Sequence, residues 1–332
     1  MASYKFSILI TTKNRLDDLK ITLRKIKPLI DNDTVECIIC DDGSTDGTFK
    51  YLSEHYPEID VFRHETSKGL IYSRNQLLKK TKAQYAISLD DDANFLTDNI
   101  LINIENYFLN NSKCAVLALR VFWGLEPPAT ILSKEKSERV SGFVGCGHVW
   151  RMEAWRDIPE YPSWFIFYGE EDFAAFQLYK KNWEIWYAPE ILVHHRVNIL
   201  KRKHQKDYRL RLRRSLRSGW YLYMLFYPKS LIFKHWASSV FSQLKRKVFK
   251  GDIKAFVALM QAMGDVCINL PKLFKNCNRL TAKEYKEFIK LPQAKIGKKV
   301  TQAFDLYSQE QLGAAIELLL EVSASKDFDR AT

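Results

Sequence analysis

The sequence has 332 residues, of which 46% are hydrophobic, 13% aromatic and 27% charged, with 13 glycines and 10 prolines. That composition excludes a disordered, collagen-like or low-complexity chain and provides for one large domain, or a domain of about 200 residues with a smaller extension. Six cysteines are too few for a disulfide scaffold, and the net charge of +12 is uneven: Arg196 to Lys250 holds 16 Lys/Arg against one acid, Asp207, leaving the rest near −3.

Met1 to Lys5 leads directly into an apolar run with no signal-peptide pattern, so the expectation is a reducing, cytoplasmic compartment. No stretch reaches the roughly 18 apolar residues of a membrane span. The best candidate, Trp220 to Phe233, contains Pro228 and Lys229.

In chain order, Phe6 to Ile10 reads as a short strand, followed by the polar turn Thr11–Thr12–Lys13–Asn14. Leu16, Leu19, Leu23 and Ile26 recur at helical spacing, so Asp17 to Leu29 is predicted helical, with Pro28 near its end. Val35 to Cys40 is a second apolar strand running into Asp41–Asp42–Gly43–Ser44. A helix over Thr48 to His55, a strand over Asp60 to Arg63 and a helix over Ser73 to Lys80 follow, and the strand Tyr85 to Leu89 ends in Asp90–Asp91–Asp92. Repeated β–turn–α units imply an α/β fold, a mostly parallel sheet with helices on both faces. Beyond His204 the chain turns basic and then helical, which divides it into a domain over 1–204 and a basic, mostly helical region over 205–332.

Ligands of such sheets sit beyond the carboxyl ends of the strands. Three strands here end in polar groups: Thr11–Thr12, Asp41–Asp42 and Asp90–Asp92. Any one of them is equally a helix cap or a turn; together they point to a site. Clustered carboxylates repel unless a cation lies between them, so Asp90, Asp91 and Asp92 suggest a divalent ion that completes its shell with phosphate oxygens and water.

These segments, with Gly69 to Arg74–Asn75 and, downstream, Gly169–Glu170–Glu171–Asp172 and Val193–His194–His195, resemble family-2 glycosyltransferases in the same order over roughly residues 5 to 200. The resemblance implies a GT-A-type, Rossmann-like mixed sheet that binds a nucleotide-diphosphate sugar, and transfer of one sugar with inversion. It implies that Asp42, with Thr11 and Lys13, lines the base pocket, and that Arg74 approaches the ribose or diphosphate. Asp90 and Asp92 match the outer acids of the Asp-x-Asp motif, with Asp91 between them. Asp92 and His194 are then the metal ligands for Mn²⁺ or Mg²⁺, with His195 the alternative to His194. Asp172 is the expected catalytic base, helped by Glu171; the run Glu170–Asp172 is also what a helix N-terminus favours. Many relatives have an aromatic residue where Lys13 stands, so Lys13 could meet a phosphate instead.

Gly142, Gly145 and Gly147 lack the dinucleotide-binding spacing and suggest a loop near the sugar or acceptor, which leaves hydride transfer unsupported. Trp164, Phe165 and Phe167 could stack on a sugar or belong to the core. Cys37 and Cys40 lie inside an apolar strand and read as inert thiols. The stripe Tyr208, Leu212, Leu216, Trp220, Tyr223 among arginines has the composition of an interfacial helix on an anionic membrane surface, or of a face docked on the catalytic domain. No nucleic-acid-binding module accompanies the charge. Gln205 begins no Gln-x-x-Arg-Trp motif, which favours single-sugar transfer over polymer synthesis. The helical Asp252 to Phe328 segment, including Ala303, Leu306 and Leu320, packs on the core or on a partner. The expected protein is a metal-dependent inverting glycosyltransferase at the cytoplasmic face of a membrane, acting on a glycan or lipid-linked acceptor in cell-surface polysaccharide synthesis. The alternatives are a sugar-nucleotide nucleotidyltransferase, whose glycine- and Arg/Lys-rich loop Thr11 to Arg15 does not resemble, and a non-catalytic anion-binding adaptor.

Overall fold

The first strand, β1 (Phe6–Thr12), is buried almost throughout because it is covered on both faces. Ile8 and Ile10 pack with Leu19 and Leu23 of α1 (Leu16–Ile30), while Leu9 points the other way, toward Ile71 and Leu77 of α3 (Leu70–Lys80). The computed structural model, which describes residues 4–197, 207–294 and 296–298, continues this pattern through β2 (Val35–Asp41), α2 (Thr48–His55), β3 (Asp60–Arg63) and β4 (Tyr85–Asp90). Then come β5 (Ala93–Phe95), α4 (Ile100–Asn110), β6 (Cys114–Trp123), β7 (Glu138–Val140), β8 (Gly147–Arg151), α5 (Met152–Asp157), α6 (Glu170–Lys180) and β9 (Glu184–His195).

The sheet runs β3-β2-β1-β4-β8-β6-β9-β5. β1 pairs in parallel with β2 and β4, and β6 with β9; β8 is antiparallel to both β4 and β6, so β1 to β4, β6 and β9 all point one way. The ends of β1, β2, β4 and β9 therefore share one edge, where ligands of open α/β sheets bind. The fold is a mixed α/β sheet, as expected, with β5, β7 and β8 reversed.

After residue 206 come α7 (Tyr208–Phe226), α8 (Lys229–Arg246), α9 (Ile253–Lys275) and α10 (Ala282–Phe288). The chain then returns a short strand, β10 (Ile296–Lys298), to the sheet beside β6, which the expectation of an all-helical end had missed. One hydrophobic cluster runs from Leu9 and Ala86 through Phe165, Phe173 and Phe176 to Tyr221, Leu225 and Phe226 of α7 and Phe288 of α10. Leu216 and Trp220 of the predicted interfacial stripe pack against Leu259 and Ala262 of α9. This corrects the reading of α7 as a lipid-facing helix: its apolar stripe is covered by protein. Phe165 and Trp164 contact Tyr221, so they belong to this core rather than to a sugar-stacking wall.

A second correction concerns α9, the helix among the described residues long and apolar enough to cross a membrane by length and composition, at mean hydropathy 1.4. Counting only unbroken apolar residues misses it because Gln261, Asp265 and Asn269 interrupt the run. The Asp265 carboxylate is ion-paired with Arg213 of α7 at 2.5 Å, and one face of α9, with Ala255, Ala258, Leu259 and Ala262, is buried against the fold. Gln205 and the expected helical positions Ala303 to Leu320 lie outside the described residues.

Candidate active site

The Asp41–Asp42–Gly43–Ser44 turn is built by its own chemistry. Gly43 adopts φ +76°, and a Cβ there would stand 3.0 Å from the Ser67 backbone nitrogen, so glycine allows the strand end to lie against residues 66–67. Asp42 is buried; its Oδ1 accepts from the Lys68 N–H at 2.7 Å and pairs with His64 Nδ1 at 2.9 Å. Its Oδ2 accepts from the Ser67 hydroxyl at 2.6 Å and the Gly69 N–H at 3.0 Å. Burial acts to raise its pKa, but these donors outweigh it and hold the carboxyl below its ordinary range. Asp42 thus fixes the entry to α3, one turn before Arg74. Lys13 is exposed between neighbours tied to the same turn, since Asn14 N–H donates to Ser44 Oγ and Thr45 N–H to Asn14 Oδ1.

Register places Thr11 beside Asp90 and Thr12 beside Asp41. Thr11 lines a water-sized void under the sheet with Leu9, Arg74, Ser88 and Asp90, and its buried hydroxyl has no protein partner. The three acids divide. Asp91 turns toward α1, accepting from Thr12 Oγ1 at 2.8 Å, with Arg15 Nη1 at 3.3 Å. Asp92 takes Arg15 Nη2 at 2.5 Å and His195 Nε2 at 3.0 Å, and Asp90 lies 3.8 Å from the same His195 nitrogen. For Asp92, burial is outweighed by His195 and Arg15, which hold it down at about 2; Asp91 is pushed up to about 8 by burial, with Arg15 opposing and Asp92 adding repulsion. Asp91 is therefore a buried partner of α1 and not a donor-binding group.

His194 is corrected too. β5 and β9 pair Ala93 with His195 and Asn94 with His194, and alternate residues of a strand face opposite ways. His195 meets the acids, while His194 Nε2 lies against the Gly124 carbonyl at 2.8 Å, where burial lowers its pKa.

Arg74 joins the acids to the second half of the site. Its Nη1 donates to Glu170 at 2.8 Å and Glu171 at 3.3 Å, and its Nη2 to Asp90 at 2.9 Å and the Gly145 carbonyl at 3.0 Å. The guanidinium is buried with both terminal nitrogens engaged by these partners, so it organises carboxylates. Gly145 is part of the arrangement: a Cβ there would lie 2.0 Å from Glu171 Oε1 and 2.8 Å from Arg74 Nη1. Glu170 is pushed up by burial and by Glu171, with Arg74 opposing.

The acids at 170–172 open α6, entered through a turn in which Ile166, Tyr168 and Gly169 have φ of 69°, 71° and 85°. A β-branched residue there is strained. α7 clamps the turn: Arg217 donates to the Phe165 carbonyl and Ser218 Oγ to the Phe167 carbonyl at 3.2 Å. Asp172 lies on the wall of a cavity of about 580 Å³ with Gly142, Phe143, Phe176, Tyr223, Tyr227 and Phe288. The cavity reaches its carboxylate, yet the crowding walls first and Glu171 second raise its pKa to about 6.

Residues 7–142 match Glycosyl transferase family 2. The chain carries a family-2 glycosyltransferase domain. No curated protein sequence matches the chain. Among solved structures it is similar to the mannosyltransferase PcManGT from Pyrobaculum calidifontis in complex with GDP-Man and Mn²⁺, at 12% identity and TM-score 0.51, over 99% of this chain and 89% of that one. It is also similar to S. aureus TarS 1-349 in complex with UDP-GlcNAc, at 18% identity and TM-score 0.50, over 78% and 81% of the two chains. A structure of GalNAc-T7 with UDP, GalNAc and Mn²⁺ is matched over only 43% of its length, at 17% identity and TM-score 0.47. The first two of these likenesses establish a GT-A-type fold.

Does that site fit a divalent ion? Asp90, Cys146 and His195 each bring a ligand atom within 4.8 Å of the others, and Asp92 Oδ1 lies 3.0 Å from the same His195 nitrogen. Burial pushes the Cys146 thiol well above its ordinary range, so it is a protonated, poor ligand for a hard ion. Two carboxylates and an imidazole remain, a donor set suited to Mn²⁺. Sequence reasoning had missed Arg15 as the counter-charge of the acids. Its one signal was position, four residues beyond Thr11 at the same strand end. Cys37 and Cys40 are buried with raised pKa values, inert as expected.

Proposed function

We propose that the protein transfers one sugar from a nucleotide-diphosphate donor to a hydroxyl group of a glycan or lipid-linked acceptor, with inversion. Asp90, Asp92 and His195 would hold a divalent cation, Mn²⁺ or Mg²⁺, which when bound offsets charge on the departing diphosphate. Arg74 fixes Asp90 to Glu170 and Glu171, keeping the two halves of the site in register. The acceptor hydroxyl enters the cavity; its oxygen bonds to the anomeric carbon as the carbon–diphosphate bond breaks, and its proton passes to Asp172. The observation that carries this reading is the placement of Asp172: a carboxylate on the cavity wall, adjacent in sequence to the acids bound by Arg74, with a pKa raised to about 6. A base poised near neutrality accepts a proton effectively while remaining ionised at pH 7. The cavity's rings, Phe143, Phe176, Tyr223 and Tyr227, offer apolar faces to a sugar.

A thermal-shift screen of UDP, GDP, ADP and CDP, with and without Mn²⁺ or Mg²⁺, tests the donor half. Stabilisation by one nucleoside diphosphate only when metal is present supports the reading; no response to any pair overturns it.

A further inference from the structure

Among the described residues, a dense run of uncovered apolar side chains lies on α8, α9 and the short link between them, whereas the apolar stripe of α7 is covered. Phe233, Phe241, Phe249, Ile253, Ile268 and Phe274 are between 60% and 77% exposed, within one stretch of the chain. On α9 the exposed positions Ile253, Phe256, Met260, Gly264, Ile268 and Pro271 recur every three or four residues. They form an uncharged stripe along the helix, away from its buried stripe of Ala255, Ala258, Leu259 and Ala262. Contiguous exposed apolar surface of this kind marks a contact with something apolar.

The charge around it says what that is. Residues 229–275 hold nine Lys/Arg and two acids, Asp252 and Asp265. Neither acid is exposed: Asp252 caps α9 through the Ala255 N–H at 2.8 Å and accepts from Tyr208 Oη at 2.9 Å, and Asp265 is paired with Arg213. Lys234, Lys245, Arg246, Lys250, Lys254 and Lys272 are exposed beside the phenylalanines. A second copy of this surface would meet it with the same net positive charge and no carboxylate to offset it, so self-association is disfavoured. An anionic bilayer is complementary to both features, taking the aromatic and aliphatic side chains below its headgroups and the lysines among its phosphates.

We propose that α8 and α9 form a docking surface that lies in the plane of an anionic lipid bilayer. α7, with its apolar stripe covered, is the strut that connects this surface to the turn before α6, so the cavity beside Asp172 is carried at a fixed height above the lipid. The inference stands on these helices alone and does not depend on the reading of the donor site.

The test is co-sedimentation of the full chain with phosphatidylcholine vesicles, with and without phosphatidylglycerol, at low ionic strength. The expected result is binding at least about ten-fold tighter to the anionic vesicles, and loss of about ten-fold or more in F256E/I268E. Both side chains are exposed, so the variant keeps its melting temperature; L109E, which places a charge on an exposed site of α4, binds as the parent does. Failure of the parent chain to bind, equal binding to both lipids, or unchanged binding of F256E/I268E overturns the proposal. So does a parent chain that dimerises without lipid where F256E/I268E is monomeric. Nucleotide stabilisation in the same variants separates this outcome from a failure of the catalytic reading.

Discussion

Replacing Gly145 by alanine adds a single methyl group at the centre of the site. Its carbon would lie 2.0 Å from Glu171 Oε1, 2.8 Å from Arg74 Nη1 and 3.1 Å from Arg74 Nη2, where about 3 Å is the closest a real Cβ comes. Glu171 must therefore retreat by roughly 1 Å or more, which ends its 3.3 Å contact with Arg74. Arg74 cannot yield as easily, since it is buried and also holds Glu170, Asp90 and the Gly145 carbonyl. A hydrogen bond to a charged group contributes about 1.5–3 kcal/mol. Glu171 is one-fifth exposed and recovers part of that in water, so a net cost of about 1–2 kcal/mol is expected. At about 2–4 °C per kcal/mol for domains of this order, the melting temperature falls by roughly 2–8 °C. Alanine elsewhere in an ordinary backbone conformation would raise stability slightly, by about 0.4–1 kcal/mol, so the sign is diagnostic. Turnover falls further, by about 100-fold, because an ångström of misplacement at Glu171 reaches Asp172 next to it. Differential scanning fluorimetry and a nucleotide-release assay read the two effects. An unchanged or raised melting temperature with turnover within two-fold of the parent would refute the packing argument.

Other outcomes follow from the same geometry. H195Q weakens Mn²⁺ binding by about 10-fold or more while H194Q leaves it within about two-fold, measured by calorimetric titration; the reverse ranking would return the ligand role to His194. The pH profile of kcat/KM has its acid limb near 6, because the base must be ionised and the crowding cavity walls, with Glu171, hold Asp172 up at about 6 even though it is open to the cavity; a limb near 4 would place the proton acceptor elsewhere. A carboxyl whose folded-state pKa is raised favours the folded state when protonated, and that advantage fades as pH rises from about 4 through 6. D172N, which mimics the neutral form, is accordingly at least as stable as the parent at pH 8, and a clear drop in its melting temperature would contradict this.

Much of the sheet was readable in the sequence because both-face burial leaves unbroken apolar runs. α2 and β3 fall at their expected bounds, and β1, β2 and β4 each extend one or two residues further, into the polar strand ends. Asp90 closes β4 and Asp92 lies in the turn to β5, so their convergence on His195 is set by that turn. The choice of His195 over His194 is set by the register of β5 on β9, two segments a hundred residues apart. Arg74 was visible as a site residue, but its partners at 90, 145, 170 and 171 come from β4, the loop before β8 and α6. An amphipathic stripe says only that something covers it; for α7 the cover is α9, and α9 itself was hidden by the polar residues Gln261, Asp265 and Asn269 that break its apolar run.

The proposed proton-accepting role of Asp172 is tested most directly by comparing D172N with the parent at pH 7.5, in turnover and in donor affinity together. Loss of a positioned base costs about 10²–10⁴-fold in kcat. The account predicts a fall in that range with the donor dissociation constant moved by less than about three-fold, since Asp90, Asp92 and His195 are untouched. Turnover within a few-fold of the parent would contradict it.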